Sequence, residues 1–341
     1  MQKYIQLDHG SGGEMSQELI QSLFLKHFGS QHAVPTDAVI LDLPSRKIAL
    51  TTDSYVVSPI FFPGGNIGKL AVCGTVNDLA VTGARPLYLT CGFIVEEGLP
   101  FDDLEEIVIS MAKEAKHAGV QIVTGDTKVV EKGSCDKLFI NTAGVGIANE
   151  SSQSLAIGAN IKAGDQIIIN GSLADHGMAI MSKRQGFEMQ TPLLSDCASL
   201  NGLIASVMEI TRTGANPSVN FMRDATRGGV ATVLCEVTKD QEFGIEIYED
   251  SLVIKEEVKG LCELLGFDPL YVANEGKVVF IVESSKAQEI LCTMQKDPQG
   301  KQACIIGQVT VTNLGKVVLK TKIGGSRVVS MLSGAQLPRI C

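Results

Sequence analysis

The last residue of the sequence is a cysteine, reached through Leu337, Pro338, Arg339 and Ile340. A thiol presented in this way reads as a nucleophile on a swinging arm. Pro338 fixes its own φ and biases Leu337 toward an extended course, so Ile340 and Cys341 are expected to project rather than fold back. The carboxylate on Cys341 itself raises the thiol pKa, and only Arg339 offers a nearby opposing charge, so reactivity is expected to need help from a partner site. Gly324, Gly325 and Ser326, then Ser333 and Gly334, read as a hinge behind it.

Three aspartates sit at the ends of apolar strands or at a helix: Asp53 after Thr51 and Thr52, Asp78 after Val76 and Asn77, and Asp126 after Thr124 and Gly125. Carboxylates at strand ends of an α/β domain are expected to converge on one crevice. Magnesium binds through a few carboxylates plus substrate phosphates, which this trio supplies, with Lys128 as a cation for the phosphate charge. Singly, each aspartate reads as a turn residue or a cap. The turn from His9 through Gly10, Ser11, Gly12 and Gly13 opens into a helix, where backbone N–H groups and the helix dipole attract phosphate oxygens. A second cluster, Gly64, Gly65, Asn66, Ile67, Gly68, Lys69 and Leu70, is one residue short of a nucleotide-binding P-loop and has Leu70 where the metal-binding hydroxyl belongs. Gly68 therefore reads as a helix entry, with Asn66 and Lys69 still able to face a nucleotide. Charged glycine loops recur at Arg223 to Gly229 and at Ala273 to Lys277, and Glu275, between a small-residue turn and an apolar strand, is placed to have a raised pKa. Asp175 and His176 read first as a helix cap.

The elements that must carry these groups alternate. Residues 15–28 form an expected helix with Ile20, Leu23, Phe24 and Phe28 on one face. Short apolar strands are expected at 48–52, 87–94, 120–124 and 138–145, with a helix over 102–118 burying Leu104, Ile107, Val108, Met111 and Ala115. The aperiodic run at 149–160 marks a boundary. Beyond it come strands at 166–170, 219–222, 244–248 and 277–282, and helices at 195–212 (capped by Ser195 or Asp196), after Gly228 and at 256–265. The reading is an α/β fold, α+β in its layering, in two halves of similar size.

The chain has 341 residues, with 38 acidic against 29 basic, 45% hydrophobic and 20% charged. That composition supports sizeable cores, and no Lys/Arg cluster with interleaved aromatics suggests a nucleic-acid partner. The N-terminus lacks a signal-peptide core and the longest apolar runs are too short to cross a bilayer, so no membrane association and a cytoplasmic location are expected. Nine cysteines, scattered and without a Cys-x-x-Cys pair, read mostly as buried thiols in a reducing compartment; Cys73, Cys91, Cys235 and Cys262 read as core.

Through His9 to Gly13, Thr52 to Tyr55, Phe61 to Lys69, Asn77 to Ala80, Gly92 to Pro100, Thr124 to Val130, Arg223 to Gly229, Asn274 to Lys277 and Pro338 to Cys341, the sequence resembles the HypE family of hydrogenase maturation proteins, in the aminoimidazole ribonucleotide synthetase (PurM) superfamily. The resemblance implies a two-domain PurM-like fold: an N-terminal glycine-rich loop and helix (1–40), an ATP-binding domain (41–150) pairing with its copy across a homodimer, a C-terminal domain (160–322) and a flexible tail (323–341). It implies that a HypF-type carbamoyltransferase loads Cys341, that ATP drives dehydration of the thiocarbamate to a thiocyanate, and that the cyanide passes to iron on a HypC/HypD complex. It implies that Asp53, Asp78 and Asp126 hold Mg²⁺ and that Lys128 neutralises the transferring phosphate. Glu275 would act as base, with His9 contributing less. Gly10, Ser11, Gly12, Gly13, Asn66, Lys69, Asn77, Thr127, Asp224, Thr226 and Arg227 would line the nucleotide. A selenophosphate synthetase carries its reactive cysteine near the N-terminus, whereas this chain has none before Cys73, and a purine cyclase needs no terminal thiol. A non-catalytic thiol scaffold would have no use for the aspartates and Lys128.

Overall fold

The structure, a computed structural model, describes residues 4–10, 14–29, 43–44, 47–187, 192–211, 218–332, 337 and 339–341. The N-terminal helix runs as α1 (Glu14–Leu19), a π-helical stretch (Ile20–Leu25) and α2 (Lys26–Phe28). It buries Leu23 and Phe24, the latter packing tilted against the Phe93 ring with centroids 5.0 Å apart. Strand β1 (Ile48–Tyr55) outruns its expected end by three residues. A minimal hairpin, β2 (Phe61–Phe62) and β3 (Gly65–Asn66), leads into α3 (Ile67–Val81). There follow β4 (Arg85–Glu96), α4 (Phe101–Ala118), β5 (Gln121–Val130) and β6 (Leu138–Ile147). Helix α4 starts with Asp102 and Asp103 against the positive end of its dipole and stops at Gly119, whose φ of 69° suits a left-handed C-cap.

These strands form a sheet in the order β1-β6-β4-β5, with β4 and β5 parallel and the other pairs antiparallel. Helices α3 and α4 bury Leu70, Val76, Leu104, Ile107 and Met111 against one face. The other face is uncovered: Ile48, Leu50 and Ile94 are 50%, 70% and 44% exposed.

The short α5 (Ser152–Ala156) bridges to β7 (Gln166–Ile169) and α6 (Asp175–Gln185). Helix α7 (Asn201–Thr211) is followed by β8 (Val219–Asp224), α8 (Gly229–Thr238), β9 (Gly244–Tyr248), α9 (Glu256–Leu265) and β10 (Val278–Val282). Last come α10 (Ala287–Met294), β11 (Cys304–Thr310), β12 (Val317–Lys320) and β13 (Ser326–Val329). A seven-stranded sheet of order β13-β12-β9-β11-β7-β10-β8 results, parallel only between β12 and β9. Strand β10 is buried on both sides: Val279 and Ile281 enter one core, and Val278, Phe280 and Val282 the other. No helix among the described residues is long and apolar enough to cross a membrane.

Two expectations need correction here. Helix α7 begins at Asn201, not near 195, because Ser195 and Asp196 are engaged elsewhere and the Asn77 side chain grips Ala198 and Leu200. Ser326 pairs with Lys320 at the start of β13, and Thr321 N–H donates to Gly325 O, so Gly324 and Gly325 form a hairpin turn and the tail begins after Val329. Ser333 and Gly334 lie outside the described residues.

Candidate active site in the interdomain cleft

Period-two geometry turns Thr51, Asp53 and Tyr55 of β1 toward α3. Asp78, on α3, accepts from Thr51 Oγ1 at 2.9 Å. Asp224 ends β8 in the other domain. Burial, then the charge of Asp53, pushes the Asp78 carboxyl up to about 6 despite the Thr51 hydrogen bond. Burial, then Asp78, pushes Asp224 up to about 7. Three carboxylates from two domains thus repel one another across one cleft. Among the described residues no three acidic, histidine or thiol groups stand close enough to enclose an ion. All-oxygen donors nevertheless fit the chemistry of Mg²⁺, which takes its remaining ligands from water and phosphate.

Asp126 does not join them. The β4–β5 pairing skips Val123, moving from Leu89↔Ile122 to Thr90↔Thr124. Asp126 consequently pairs with Gly92, and Gly92 with Asn141, on the uncovered face; Asp53 pairs with Thr142 on the buried one. Asp126 makes a 3.1 Å ion pair with Lys128, and both are largely exposed (71% and 64%). Thr127 points to the other side. Strands β1 and β5 are opposite edges of the sheet, roughly 14 Å apart at ordinary strand spacing.

Other expected nucleotide contacts have structural employment. Asn66 caps α3, its side chain accepting from Lys69 N–H at 3.0 Å, and Lys69 Nζ donates to Gly64 O. Asn77 donates to Ala198 O at 3.0 Å and accepts from Leu200 N–H at 2.8 Å, clamping the domains together. His9 is buried and its Nδ1 accepts from Gln6 N–H at 3.0 Å, which braces the turn. Gly10 lies so close to β5 that a Cβ there would be 2.5 Å from Val129 N. Ser11, Gly12 and Gly13 lie outside the described residues.

Glu275 is held by a device that its local sequence does not reveal. Asp196 accepts from the N–H groups of Glu275 and Gly276, both at 3.2 Å, and pairs with Lys277 Nζ at 2.9 Å. Burial opposes the Asp196 charge, but Lys277, His176 and the Glu275 N–H together outweigh it and keep the carboxyl below its usual range. A Cβ at Gly276 would stand 1.9 Å from Asp196 O, so only glycine fits. Asn274 ties the same turn to β8 by donating to Ala225 O at 2.9 Å. Nearby, Gly228 and Gly229 adopt φ of 77° and 60°, letting Thr226 and Arg227 round the corner into α8. The Glu275 carboxyl is 3% exposed and its Oε1 has no hydrogen-bond partner. Burial first, then Cys197, Asp224, Asp196 and Asp53, raises its pKa well above the carboxylate range.

The end of the chain enters this cleft. Ile340 is 2% exposed and packs in the first domain's core, so the expected projection of Ile340 and Cys341 is not found; Pro338 lies outside the described residues. Val56 N–H donates to Cys341 O at 3.1 Å and Ser58 N–H to Arg339 O at 3.3 Å. Arg339 turns away from the thiol, donating from Nε to Val56 O at 2.9 Å and pairing with Asp136 at 2.5 Å. The cation that acts on Cys341 is Arg227. Burial, then Glu275, pushes the thiol up to about 12, with Arg227 opposing and Asp53 adding to the rise. A seated Cys341 is therefore protonated, close to Glu275, and a poor nucleophile.

His176 also differs from its expected role. It is fully buried between Ser195 Oγ at Nδ1 and Ile340 O at Nε2, both at 2.8 Å, and Arg184 at the far end of α6 donates to Arg339 O and Ser58 O. Asp196 and His176 were legible only as helix caps, Lys277 only as part of a charged loop, and Arg184 not at all, because the partners that matter here, Asp196 for Lys277, Ile340 for His176 and Ser58 and Arg339 for Arg184, are distant in sequence.

Family models of AIR synthase related proteins match residues 35–148 (N-terminal domain) and 162–320 (C-terminal domain). The chain is 47% identical over 338 residues to carbamoyl dehydratase HypE of Bradyrhizobium diazoefficiens, covering 99% of this chain and 96% of that protein. It superposes with a TM-score of 0.90 on the hydrogenase maturation protein HypE in complex with ATP, 46% identical and covering 98% of this chain and 99% of that one. It also matches a HypE–HypF complex at a TM-score of 0.77 and 45% identity, over 94% of this chain and 100% of that one. Two PurM-like domains, an acidic cleft between them and a cysteine seated in it accompany this full-length likeness, and the chain belongs to the HypE family of the PurM superfamily.

Proposed function

We propose that this chain is an ATP-dependent carbamoyl dehydratase that converts an S-carbamoyl group on Cys341 into a thiocyanate, supplying the cyanide ligands of the [NiFe]-hydrogenase iron. The observation that carries this reading is the seating of Cys341, its carbonyl on Val56 N–H, in an acidic cleft within electrostatic range of a buried glutamate whose Oε1 has no hydrogen-bond partner. An amide oxygen leaves poorly, so its transfer to the γ-phosphorus of ATP, releasing ADP, makes phosphate the leaving group. One nitrogen proton departs as the O–P bond forms and a second as the C–O bond breaks, leaving S–C≡N, ADP and phosphate. Glu275 is the base for nitrogen protons: an ionised carboxylate in that environment is more basic than an exposed one. Arg227 offsets the negative charge near the sulfur. Asp53, Asp78 and Asp224 would share Mg²⁺ with phosphate oxygens and water, and the ion would supply charge neutralisation at the phosphates. Asp224 thereby takes the place expected for Asp126.

The protonated, seated thiol supports loading elsewhere, on a HypF-type carbamoyltransferase, before the tail returns. A HypC/HypD iron-carrier complex would receive the cyanide. A homodimer is supported by the uncovered apolar sheet face. A two-fold stacking with its axis along the strands would set β5 of one copy over β1 of the other, bringing Gly10, Asp126, Thr127 and Lys128 toward the partner's acidic cleft. Nine free thiols favour a reducing cytoplasm. Mass spectrometry of the C-terminal peptide after incubation with HypF, carbamoyl phosphate and ATP tests the function. A carbamoyl adduct on Cys341 that loses one water only with ATP is expected; an adduct stable to ATP would overturn the proposal.

A further inference from the structure

Each carbonyl of the last three residues meets a donor. Cys341 O accepts from Val56 N–H at 3.1 Å, Ile340 O from His176 Nε2, and Arg339 O from Ser58 N–H and Arg184. Two of these donors are side chains at the two ends of α6, eight residues apart in sequence. Because a carbonyl only accepts, His176 carries its proton on Nε2, and its Nδ1 accepts from Ser195 Oγ–H. Ser195 Oγ in turn accepts from Cys197 N–H at 3.0 Å, which fixes the direction of the relay. Burial lowers the ring's pKa and keeps it neutral. The Phe62 ring meets His176 edge-on at 5.4 Å and packs against the imidazole.

We propose that α6 is the receptor for the carrier tail, with His176 and Arg184 as positioning residues that read its backbone and set the register of Cys341 against Glu275. The inference deepens the dehydratase reading and rests on it for its purpose, although the latch itself is a matter of binding. Recognition through carbonyls does not involve the cysteine side chain, so a bare, carbamoylated or cyanated sulfur is received in the same register. When the tail leaves, the buried Nε2–H of His176 loses its acceptor, which favours return.

The test is the rate at which iodoacetamide labels Cys341 in the full chain without nucleotide, read on the C-terminal peptide, with exposed Cys292 as internal reference. In His176→Phe and Arg184→Leu the Cys341 rate should rise roughly tenfold, the effect of losing about one such hydrogen bond, while Cys292 is unchanged. Arg184→Lys, which keeps a donor, should recover part of the protection. In the same variants, dehydration of preloaded carbamoyl-Cys341 should fall in kcat with the KM for ATP unchanged. If His176→Phe fails to fold by circular dichroism, Arg184→Leu decides. Parental labelling rates in the folded variants would overturn the latch. Raised labelling in a protein whose parent never dehydrates a carbamoyl adduct would keep the latch and sink the dehydratase reading.

Discussion

At the scale of single residues, the cleft sets its chemistry by crowding acids. Glu275 shares it with Asp53, Asp196 and Asp224, and its carboxyl takes up a proton more readily than an exposed one. Glu275→Gln keeps the shape and removes the proposed base, so thiocyanate formation should drop by about 10²–10⁴-fold, as for loss of a general base. ATP affinity by calorimetry should hold; dehydration at the parental rate would assign the base elsewhere. Asp224 gives a pH signature. Its folded pKa, about 7, lies above the ordinary aspartate value, so the folded state binds the extra proton and stability falls as pH rises from about 4 through 7. Without nucleotide or magnesium, Asp224→Asn should stabilise the protein by roughly 1–3 kcal/mol at pH 8 and by almost nothing near pH 4, read from urea unfolding at both pH values.

At the scale of elements, what was legible in the sequence was whatever periodicity writes locally. Helix α4 and strand β10 have nearly their expected bounds because their apolar spacing reports one packing environment each. Asp126 shows where that legibility stops. Its face depends on a single skipped residue at Val123, and a one-residue slip inverts every side chain beyond it. Glu275 was legible as a raised-pKa acid, but not the Asp196 that holds its turn and pairs with Lys277 from 79 to 81 residues away. That bracket is buried, so Asp196→Asn should cost roughly 3–5 kcal/mol in urea unfolding by leaving Lys277 without its counter-charge. Adding Lys277→Met should restore part of the loss. A single variant as stable as the parent would mean that the turn stands without the bracket.

At the scale of the whole molecule, the proposed homodimer would use the uncovered face of the four-stranded sheet. Leu50→Asp at its exposed centre should leave each chain folded and shift sedimentation to that of a monomer; an unchanged sedimentation coefficient would move the contact to another surface. Strand β13 bears on partner geometry. Its pairing with β12 makes Val329 the final point tied into the sheet. Fully drawn out, the leash from there to the sulfur spans at most roughly 40 Å. Any protein that charges or unloads Cys341 must therefore dock within that radius of one sheet edge, and lengthening the leash with a flexible insert would dilute the sulfur at its seat without altering a single contact there.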